Sequence, residues 1–195
     1  MPWFSRSGVT TPDGSTETRT TAVRIDPSLT VAALPGCTPR LLREQPGRED
    51  HAAYSELGGY RTLESADNLL DEVERSGLLG RGGAAFPLAV KLRTVRDNGS
   101  RAGDAVVVAN GEEGEPASIK DRWLLRNRPH LVLDGLRLAA AIVAAGRAHV
   151  YVSDPESARS VEAALAEVDT LSVPVEIRTV DPGYVAGEET AAVRA

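Results

Sequence analysis

An alternation of strand-like and helix-like segments between Ala105 and Val180 limits the folds open to this chain more than any other feature. The run 105–109 is short, continuously apolar and bounded by turn residues, which is typical of a strand covered on both faces. Four further segments follow: a buried helix over Leu131 to Ala145 closed by Gly146, a strand over Ala148 to Val152, an amphipathic helix over Pro155 to Val168 and a strand over Val173 to Val180. This rhythm predicts an α/β fold with a parallel sheet and right-handed βαβ crossovers.

The region before this alternation has weaker signals. Residues 1–21 are rich in Ser, Thr, Gly and Pro without periodicity, which predicts a mobile leader. The following segment, to about residue 59, mixes a few apolar residues with prolines and predicts an extended surface arm. The expected organisation is therefore a leader and arm over 1–59 and an α/β domain over 60–195.

Two helices are predicted between the arm and the first strand. Apolar residues recur at helical spacing between Ser65, which can cap a helix, and Gly77, which can stop one, so a helix from about Ala66 to Ser76 is expected. A second helix is expected after Pro87, because proline is well suited to the first turn.

The composition argues against several classes of function. A net charge of −6 and a pI near 5.2 are unlike those of a nucleic-acid-binding surface. Since no apolar run reaches the roughly 18 residues of a membrane span and no secretory signal is evident, a cytoplasmic location without a transmembrane segment is expected. The single cysteine, Cys37, cannot hold a four-cysteine iron–sulfur cluster within these 195 residues, and His51 and His149 show no metal-ligand spacing, so no metal site is expected.

Two loops rich in glycine and acid provide the functional signal. The first is Gly80-Arg81-Gly82-Gly83-Ala84-Ala85-Phe86-Pro87, and the second is Asn110-Gly111-Glu112-Glu113-Gly114-Glu115-Pro116. In the first loop, glycines let backbone amides approach an anion, and Arg81 and Lys91 add positive charge. The second loop directly follows a strand end, where parallel sheets bind ligands, and its amide and carboxylates suit ribityl, ribose or carboxamide groups.

Taken singly, each loop also has a structural explanation. The first could be a tight connection between two helices, with Phe86 as a core anchor. The second could be a solvated acidic loop in which Arg122 pairs with Glu115. His130 is expected to begin a helix or to pack rather than to act as a general base.

Taken together and in order, the motifs resemble a known family. With Lys120-Asp121-Arg122, Pro129-His130 and Ala186-Gly187-Glu188-Glu189-Thr190, the two loops are similar to those of the FMN-binding, NADH-oxidising subunit of respiratory complex I and its relatives in NAD-linked hydrogenases and formate dehydrogenases. The resemblance spans roughly Tyr60 to Ala195. It implies a Rossmann-like domain that holds FMN between three loops, takes a hydride from NADH and passes electrons to a partner subunit carrying iron–sulfur clusters.

The resemblance also implies residue roles. Gly80, Gly82, Gly83 and Lys91 would contact the flavin nucleotide, whereas Asn110 and Glu112 would hydrogen-bond it. Phe86 and Glu115 would face NADH, and Glu188 and Glu189 would close the site near the flavin and nicotinamide. The whole cofactor-binding set implied in this way is Gly80, Arg81, Gly82, Gly83, Lys91, Asn110, Glu112, Glu113, Gly187, Glu188 and Glu189. No catalytic nucleophile or base is implied.

The chain departs from the family's pattern in sequence and in length. Ala85 stands where the family usually has Gly, and Glu112 stands where complex I members tend to have Asp. Complex I members often carry a second aromatic residue after the position of Lys91, and in this chain that position falls near Arg93 or Thr94. Family members continue past the Gly187 motif into further flavin-phosphate contacts, a ubiquitin-like domain and a four-cysteine helical domain. The expectation is therefore an FMN- and NADH-binding oxidoreductase module, or alternatively a truncated non-catalytic remnant with an incomplete site. An interaction module acting through the arm is a third interpretation.

Overall fold

The computed structural model describes residues 9–10, 16–17, 41, 47–80, 84–99, 103–114, 118–168, 171–183 and 186–193. The chain divides into two compact units, Met1–Glu44 and Gln45–Ala195. In the first unit, strands β1 (Val9–Thr10) and β2 (Thr16–Glu17) pair antiparallel. Most of the predicted leader and arm lies outside the described residues, so the predicted division at residue 59 stays a prediction.

The second unit contains a three-stranded parallel sheet. Its described elements are α1 (His51–Glu56), α2 (Ala66–Ser76), α3 (Leu88–Asn98), β3 (Gly103–Asn110), α4 (Lys120–Asn127), α5 (Pro129–Val143), β4 (Ala145–Val152), α6 (Pro155–Ala166), β5 (Val175–Thr179) and α7 (Glu189–Ala192). The strands lie in the order β3-β4-β5, with Val108 opposite His149 and Val150 opposite Ile177. The predicted strand and helix alternation is confirmed. In the part of the chain described, no helix has the length and apolarity to cross a membrane.

Capping residues explain both ends of α2 and the C-terminal end of α5. The Ser65 hydroxyl accepts from the Asn68 amide at 3.2 Å, and Gly77 ends α2 with φ 64, as predicted. Helix α5 ends differently from the prediction, because Ala144 takes the left-handed position with φ 52. Such a conformation costs a non-glycine residue roughly 1 kcal/mol. Gly146, the predicted stop, lies inside β4, so the helix passes into the strand through a single residue.

The helices α5 and α6 cover one face of the sheet. Leu133 and Val161 are fully buried and pack with Val150 and Val152 of β4. A second cluster joins α2 and α3 to the end of α5 around the buried Leu70. Each fully buried aliphatic side chain of this kind contributes roughly 1.5–3 kcal/mol. The core therefore lies on the helix side of the sheet.

The opposite face of β3 is open among the described residues. Val106 and Val108 are 40% and 38% exposed, whereas Val107 and Ala109 pack towards the helices. Side chains of a strand alternate between its faces, so only one face of this apolar run is covered by described elements. The prediction that the run 105–109 is covered on both faces is wrong for this face.

Residues 47–59, predicted as part of an extended arm, and Tyr60, the first residue of the predicted domain, lie against α5. Tyr54 of α1 is buried, and its hydroxyl donates to the Asp134 carboxylate at 2.9 Å. The Tyr60 hydroxyl lies 3.0 Å from His130 Nδ1, and His130 Nε2 lies 3.0 Å from the Glu167 carboxylate. Burial lowers the pKa of His130 despite the opposing effect of Glu167. The neutral His130 ring on α5 therefore links Tyr60 to Glu167, which follows α6. This is the packing role expected from the sequence.

Asp154 caps α6 and is expected to make stability sensitive to acid. Its carboxylate accepts from the Ser157 amide at 2.8 Å and from the Ser157 hydroxyl at 2.7 Å, and it pairs with Arg126. Burial acts to raise the pKa of Asp154, but the hydrogen bonds from Arg126 and Ser157 outweigh it and hold the pKa at about 2. The folded pKa is below the unfolded one, so this stabilisation is complete above about pH 4 and is lost as the pH falls to about 2.

We expect Asp154→Asn to lower the free energy of unfolding at pH 7 by about 1–2 kcal/mol and to flatten its decline between pH 4 and pH 2. Urea unfolding followed at several pH values would measure both effects. Asp97→Asn is the matched control, since Asp97 is exposed on α3 and 57% of its side chain meets solvent. Identical acid dependence of the wild type and Asp154→Asn would contradict the prediction.

Candidate functional site

The carboxyl ends of the three parallel strands bring together two of the three loops that the sequence singled out. Asn110 ends β3, Ser153 follows β4, and the segment 180–188 follows β5. The Gly111 amide donates to the Tyr151 carbonyl at 2.8 Å, and the Val180 amide donates to the Val152 carbonyl at 2.9 Å. Ligands of open parallel sheets bind beyond this edge. The second and third predicted loops therefore meet where the fold favours a ligand.

Gly111 is required by the packing beneath this edge. A Cβ at this position would clash with the Leu125 side chain and would lie 3.2 Å from Val152 Cγ1. Glycine therefore lets the loop cross closely over α4 and β4. This role is structural.

Asn110 joins the second loop to the third. Its Nδ2 donates to the Gly187 carbonyl at 2.8 Å, and its Oδ1 accepts from the Glu112 amide at 3.2 Å. One side chain therefore holds two predicted site segments whose positions are 77 residues apart in the sequence.

Glu112 is buried between these loops, with 6% of the residue exposed. Its Oε1 accepts from the Ser153 hydroxyl at 3.2 Å and from the Gly183 amide at 3.4 Å. Its Oε2 is buried and has no hydrogen-bond partner among the described residues. Leaving such an acceptor without a partner costs roughly 1–3 kcal/mol. The atom is therefore suited to a ligand that donates a hydrogen bond.

Gly187 lies directly against this unpartnered oxygen. A Cβ at Gly187 would be 2.8 Å from Glu112 Oε2 and 3.1 Å from the Glu112 carbonyl oxygen. A Cβ at these distances would require the Glu112 side chain or the turn to shift. Glu188, the next residue, is exposed, and Glu189 begins α7.

Glu113 points away from Glu112 and holds the start of α4. Its carboxylate accepts from the Ser118 hydroxyl at 2.5 Å and from the amides of Asp121 and Arg122 at 3.1 and 3.3 Å. Burial acts to raise the pKa of Glu113, but these hydrogen bonds hold the pKa below its usual value. Arg122 pairs with Glu113 at 3.2 Å, whereas the sequence suggested Glu115. A cofactor contact for Glu113 stays a prediction.

The first loop closes through its own backbone. The Gly80 amide donates to the Phe86 carbonyl at 2.8 Å, and Leu79 and Pro87 form an isolated antiparallel β-bridge. Phe86 is 51% exposed and is therefore not the core anchor that the structural alternative required. Ala85 has φ 47, a left-handed conformation that costs a non-glycine residue about 1 kcal/mol or more.

The remaining predicted residues of this loop are placed as follows. Lys91 is exposed on α3. Arg81, Gly82 and Gly83 lie outside the described residues, as does Glu115 of the second loop.

Two residues of the site were missed by sequence reasoning. Ser153 directly follows a predicted strand, so the strand-end rule could have selected it. Gly183 contacts Glu112 through its backbone amide, and only the turn-like Asp181-Pro182-Gly183 marked this segment. A contact made by a backbone amide does not depend on the residue type, so the sequence gives little indication of it.

Comparisons with known proteins show the family of this chain. A family model described as the Nuo51 FMN-binding domain matches residues 73–195. An NADH-quinone oxidoreductase subunit of Rhizobium meliloti (strain 1021) is 31% identical over an alignment of 175 positions, and the match covers 78% of this chain and 41% of the relative. An NADH-quinone oxidoreductase subunit of Aquifex aeolicus (strain VF5) is 35% identical over an alignment of 104 positions, and the match covers 51% of this chain and 24% of the relative.

A solved structure shows the same fold. The crystal structure of an NAD+-reducing NiFe-hydrogenase in the air-oxidised state matches 66% of this chain and 23% of the hydrogenase chain, with a TM-score of 0.62 and 36% identity. This likeness confirms the predicted α/β, Rossmann-like fold. The chain spans less than half the length of these relatives.

Proposed function

Since this chain belongs to the family of the Nuo51 FMN-binding domain, we propose that it is a flavoprotein oxidoreductase module that binds FMN and takes a hydride from NADH for onward electron transfer. The family is FMN-binding, and the relatives in Rhizobium and Aquifex are NADH-quinone oxidoreductase subunits. Because the chain spans only part of their length, activity and substrate are proposed here for the module alone.

The unpartnered Oε2 of Glu112 is the observation that carries this proposal. It is buried beside Gly187, at the carboxyl edge of the sheet, where a Cβ would fill the space. Hydroxyl groups such as those of a ribityl chain donate hydrogen bonds, and a carboxylate accepts strong ones. The residues present therefore fit a flavin nucleotide.

The other predicted contacts complete the proposed site. The loop of Gly80, Arg81, Gly82 and Gly83, with Lys91, would bind the anionic part of the nucleotide through amides and positive charge. Phe86 and Glu115 would face NADH, and Glu188 and Glu189 would close the site. Bound FMN would supply the hydride-accepting group, so the chain's own task is to bind, orient and exclude water.

Electron exit requires a partner in this proposal. The family resemblance implies that electrons pass from the flavin to a partner subunit that carries iron–sulfur clusters. The expected setting is the cytoplasm, with the module peripheral to a membrane complex. The alternative is a non-catalytic remnant whose site is incomplete, and such a chain would not bind FMN.

Titration of the purified chain with FMN tests the proposal. Binding should quench flavin fluorescence, and NADH added without oxygen should bleach the absorbance of the bound flavin. An artificial electron acceptor should then restore the absorbance. The absence of binding at micromolar FMN would contradict the proposal and support the remnant.

Glu112→Gln is expected to weaken FMN binding by about 10- to 100-fold, because a charge-assisted hydrogen bond contributes roughly 1.5–3 kcal/mol. The substitution keeps the size of the side chain and removes its charge. Glu72→Gln, on the exposed face of α2, is the matched control and should leave affinity unchanged. Equal fluorescence titrations of the two variants would exclude a ligand contact through the Glu112 carboxylate.

A further inference from the structure

Residues 51–60, which we call the α1 segment, are attached to the rest of the second unit around one buried histidine. Only Tyr54 of helix α1 is buried. The His130 ring of α5 has no exposed surface. The centroids of three rings of the segment lie 5.7–6.1 Å from it, namely those of His51, Tyr54 and Tyr60. We propose that this attachment is sensitive to acid, such that the α1 segment detaches from α5 when His130 gains a second ring proton.

The hydrogen bonds assign the proton of the neutral His130 ring. A carboxylate only accepts, so Nε2, which lies 3.0 Å from the Glu167 carboxylate, carries the hydrogen. Nδ1 therefore has a lone pair, to which the Tyr60 hydroxyl donates at 3.0 Å. A second proton would be placed on Nδ1, where the Tyr60 hydroxyl now points. The added proton thus requires the Tyr60 bond to reverse or break, and the added charge has no contact with water.

The groups around the ring decide whether it accepts this charge. Burial is the largest effect and lowers the pKa of His130, while Glu167 opposes this effect and His51 and Arg48 add to it. Opening of the α1 segment would admit water to the ring and raise the pKa of His130 towards its usual value of 6.5. Opening is therefore linked to proton uptake, and acid favours the open state. The charged and titratable side chains around the ring are Arg48, His51, Tyr54 and Tyr60 before residue 61, Asp134 on α5 and Glu167 after α6.

Glu167 keeps its charge in mild acid. Burial acts to raise the pKa of Glu167, but hydrogen bonds from Arg48 and the His51 amide help to hold the pKa at about 2. Of the bonded pair His130 and Glu167, the imidazole is therefore the group that changes its protonation as the pH falls from neutrality.

The turn after α1 is unfavourable in itself and is maintained by its bonds to α5. Tyr60 has φ 51, a left-handed conformation that tyrosine rarely adopts. Gly59 lies so close to the Tyr54 ring that a Cβ there would clash with it. The Tyr60 amide donates to the Asp134 carboxylate at 2.9 Å, and its hydroxyl bonds His130. Disturbing the hydroxyl bond therefore leaves a strained turn with one fewer attachment.

The chain before the α1 segment has attachments that do not involve the His130 ring. The Glu49 amide donates to the Asn127 carbonyl at 2.7 Å, and the Glu49 carboxylate pairs with the buried Arg128. In contrast, most of α1 is exposed, and segments with few buried contacts open at low free energy. Detachment is therefore expected to hinge near Asp50 and to leave residues 48–49 in place.

Two measurements on the full chain without FMN test the inference. The three histidines give few signals in a nitrogen-15 NMR titration, so the pKa of His130 can be measured directly and should lie below 6.5. Amide hydrogen exchange at Gly59 and Tyr60, corrected for the intrinsic pH dependence, should accelerate as the pH falls from about 6.5. The expected rise is up to about tenfold per pH unit, because opening takes up one proton. Exchange at Ala158 of α6 should show no such rise.

His130→Gln should remove the acid response of the Tyr60 amide, since glutamine gains no proton in this range. His51→Gln is the matched control, because His51 bonds Glu167 through its backbone amide at 2.9 Å, and the response should persist in this variant. A His130 pKa at or above 6.5, or constant corrected exchange at Tyr60 while His130 titrates, would overturn the inference. So would a response that persists in His130→Gln or disappears in His51→Gln. If His130→Gln does not fold, the two wild-type measurements still decide, and neither requires the proposed flavin site to exist.

Discussion

Glu49→Gln is expected to lower the free energy of unfolding of the second unit by about 3–5 kcal/mol. The side chains of Glu49 and Arg128 are 1% and 3% exposed, and the guanidinium Nε and Nη2 lie 3.1–3.3 Å from the carboxylate oxygens. Glutamine retains the shape but leaves the guanidinium buried without this negative charge. Urea unfolding monitored by the tryptophan signal would measure the loss.

An exposed ion pair is the control for this prediction. Arg93 and Glu74 approach to 2.6 Å, with 41% and 56% of their side chains exposed. Since solvent screens such pairs, Glu74→Gln should cost about 1 kcal/mol or less. Equal losses in Glu49→Gln and Glu74→Gln would show that burial of the first pair has no energetic consequence. Replacing Glu49 and Arg128 together by Leu and Met should recover much of the loss.

Gly187→Ala is expected to weaken FMN binding by about 10- to 100-fold. The new Cβ would lie 2.8 Å from Glu112 Oε2 and 3.1 Å from the Glu112 carbonyl oxygen, so the turn or the carboxylate must move. Overpacking of this kind typically costs about 1–3 kcal/mol, and each 1.4 kcal/mol is tenfold in affinity. Fluorescence titration with FMN would measure the change, with circular dichroism to establish that the variant is folded.

Gly135→Ala provides the matched substitution elsewhere. Gly135 is exposed on α5, and a Cβ there would meet nothing within 4 Å. Alanine should leave FMN affinity unchanged and raise stability by roughly 0.5–1 kcal/mol, because glycine is unfavourable inside a helix. If Gly187→Ala binds FMN as well as Gly135→Ala does, the space beside Glu112 is not part of the ligand site.

The fold was predictable where local chemistry decides it. Helix α2 begins after Ser65 and ends at Gly77 as predicted, because capping depends on residues that are close in the sequence. The end of α5 was not predictable in the same way, since Ala144 adopts a conformation that sequence rules assign to glycine. The open face of β3 was also missed, because Val106 and Val108 are apolar whether or not another element covers them.

The candidate site was predictable in outline and not in its internal contacts. The sequence predicted that the loop of Asn110 and Glu112 follows a strand of a parallel sheet, and the family resemblance implied that these two residues contact the flavin. Glu112 accepts from Ser153 and Glu113 accepts from the start of α4, and these partners are set by tertiary structure. The same limit applies to Ser153 and Gly183, whose partners are distant in the sequence.

The order of the strands has a consequence for synthesis of the protein on the ribosome. Because β3, β4 and β5 are neighbours in the same order in which they are translated, the sheet can grow by adding each new strand to the previous one. The bond from Asn110 to Gly187 cannot form until 77 further residues have been made. The three strands and the core that they form are therefore complete before this bond can be made, because β5 ends at Thr179.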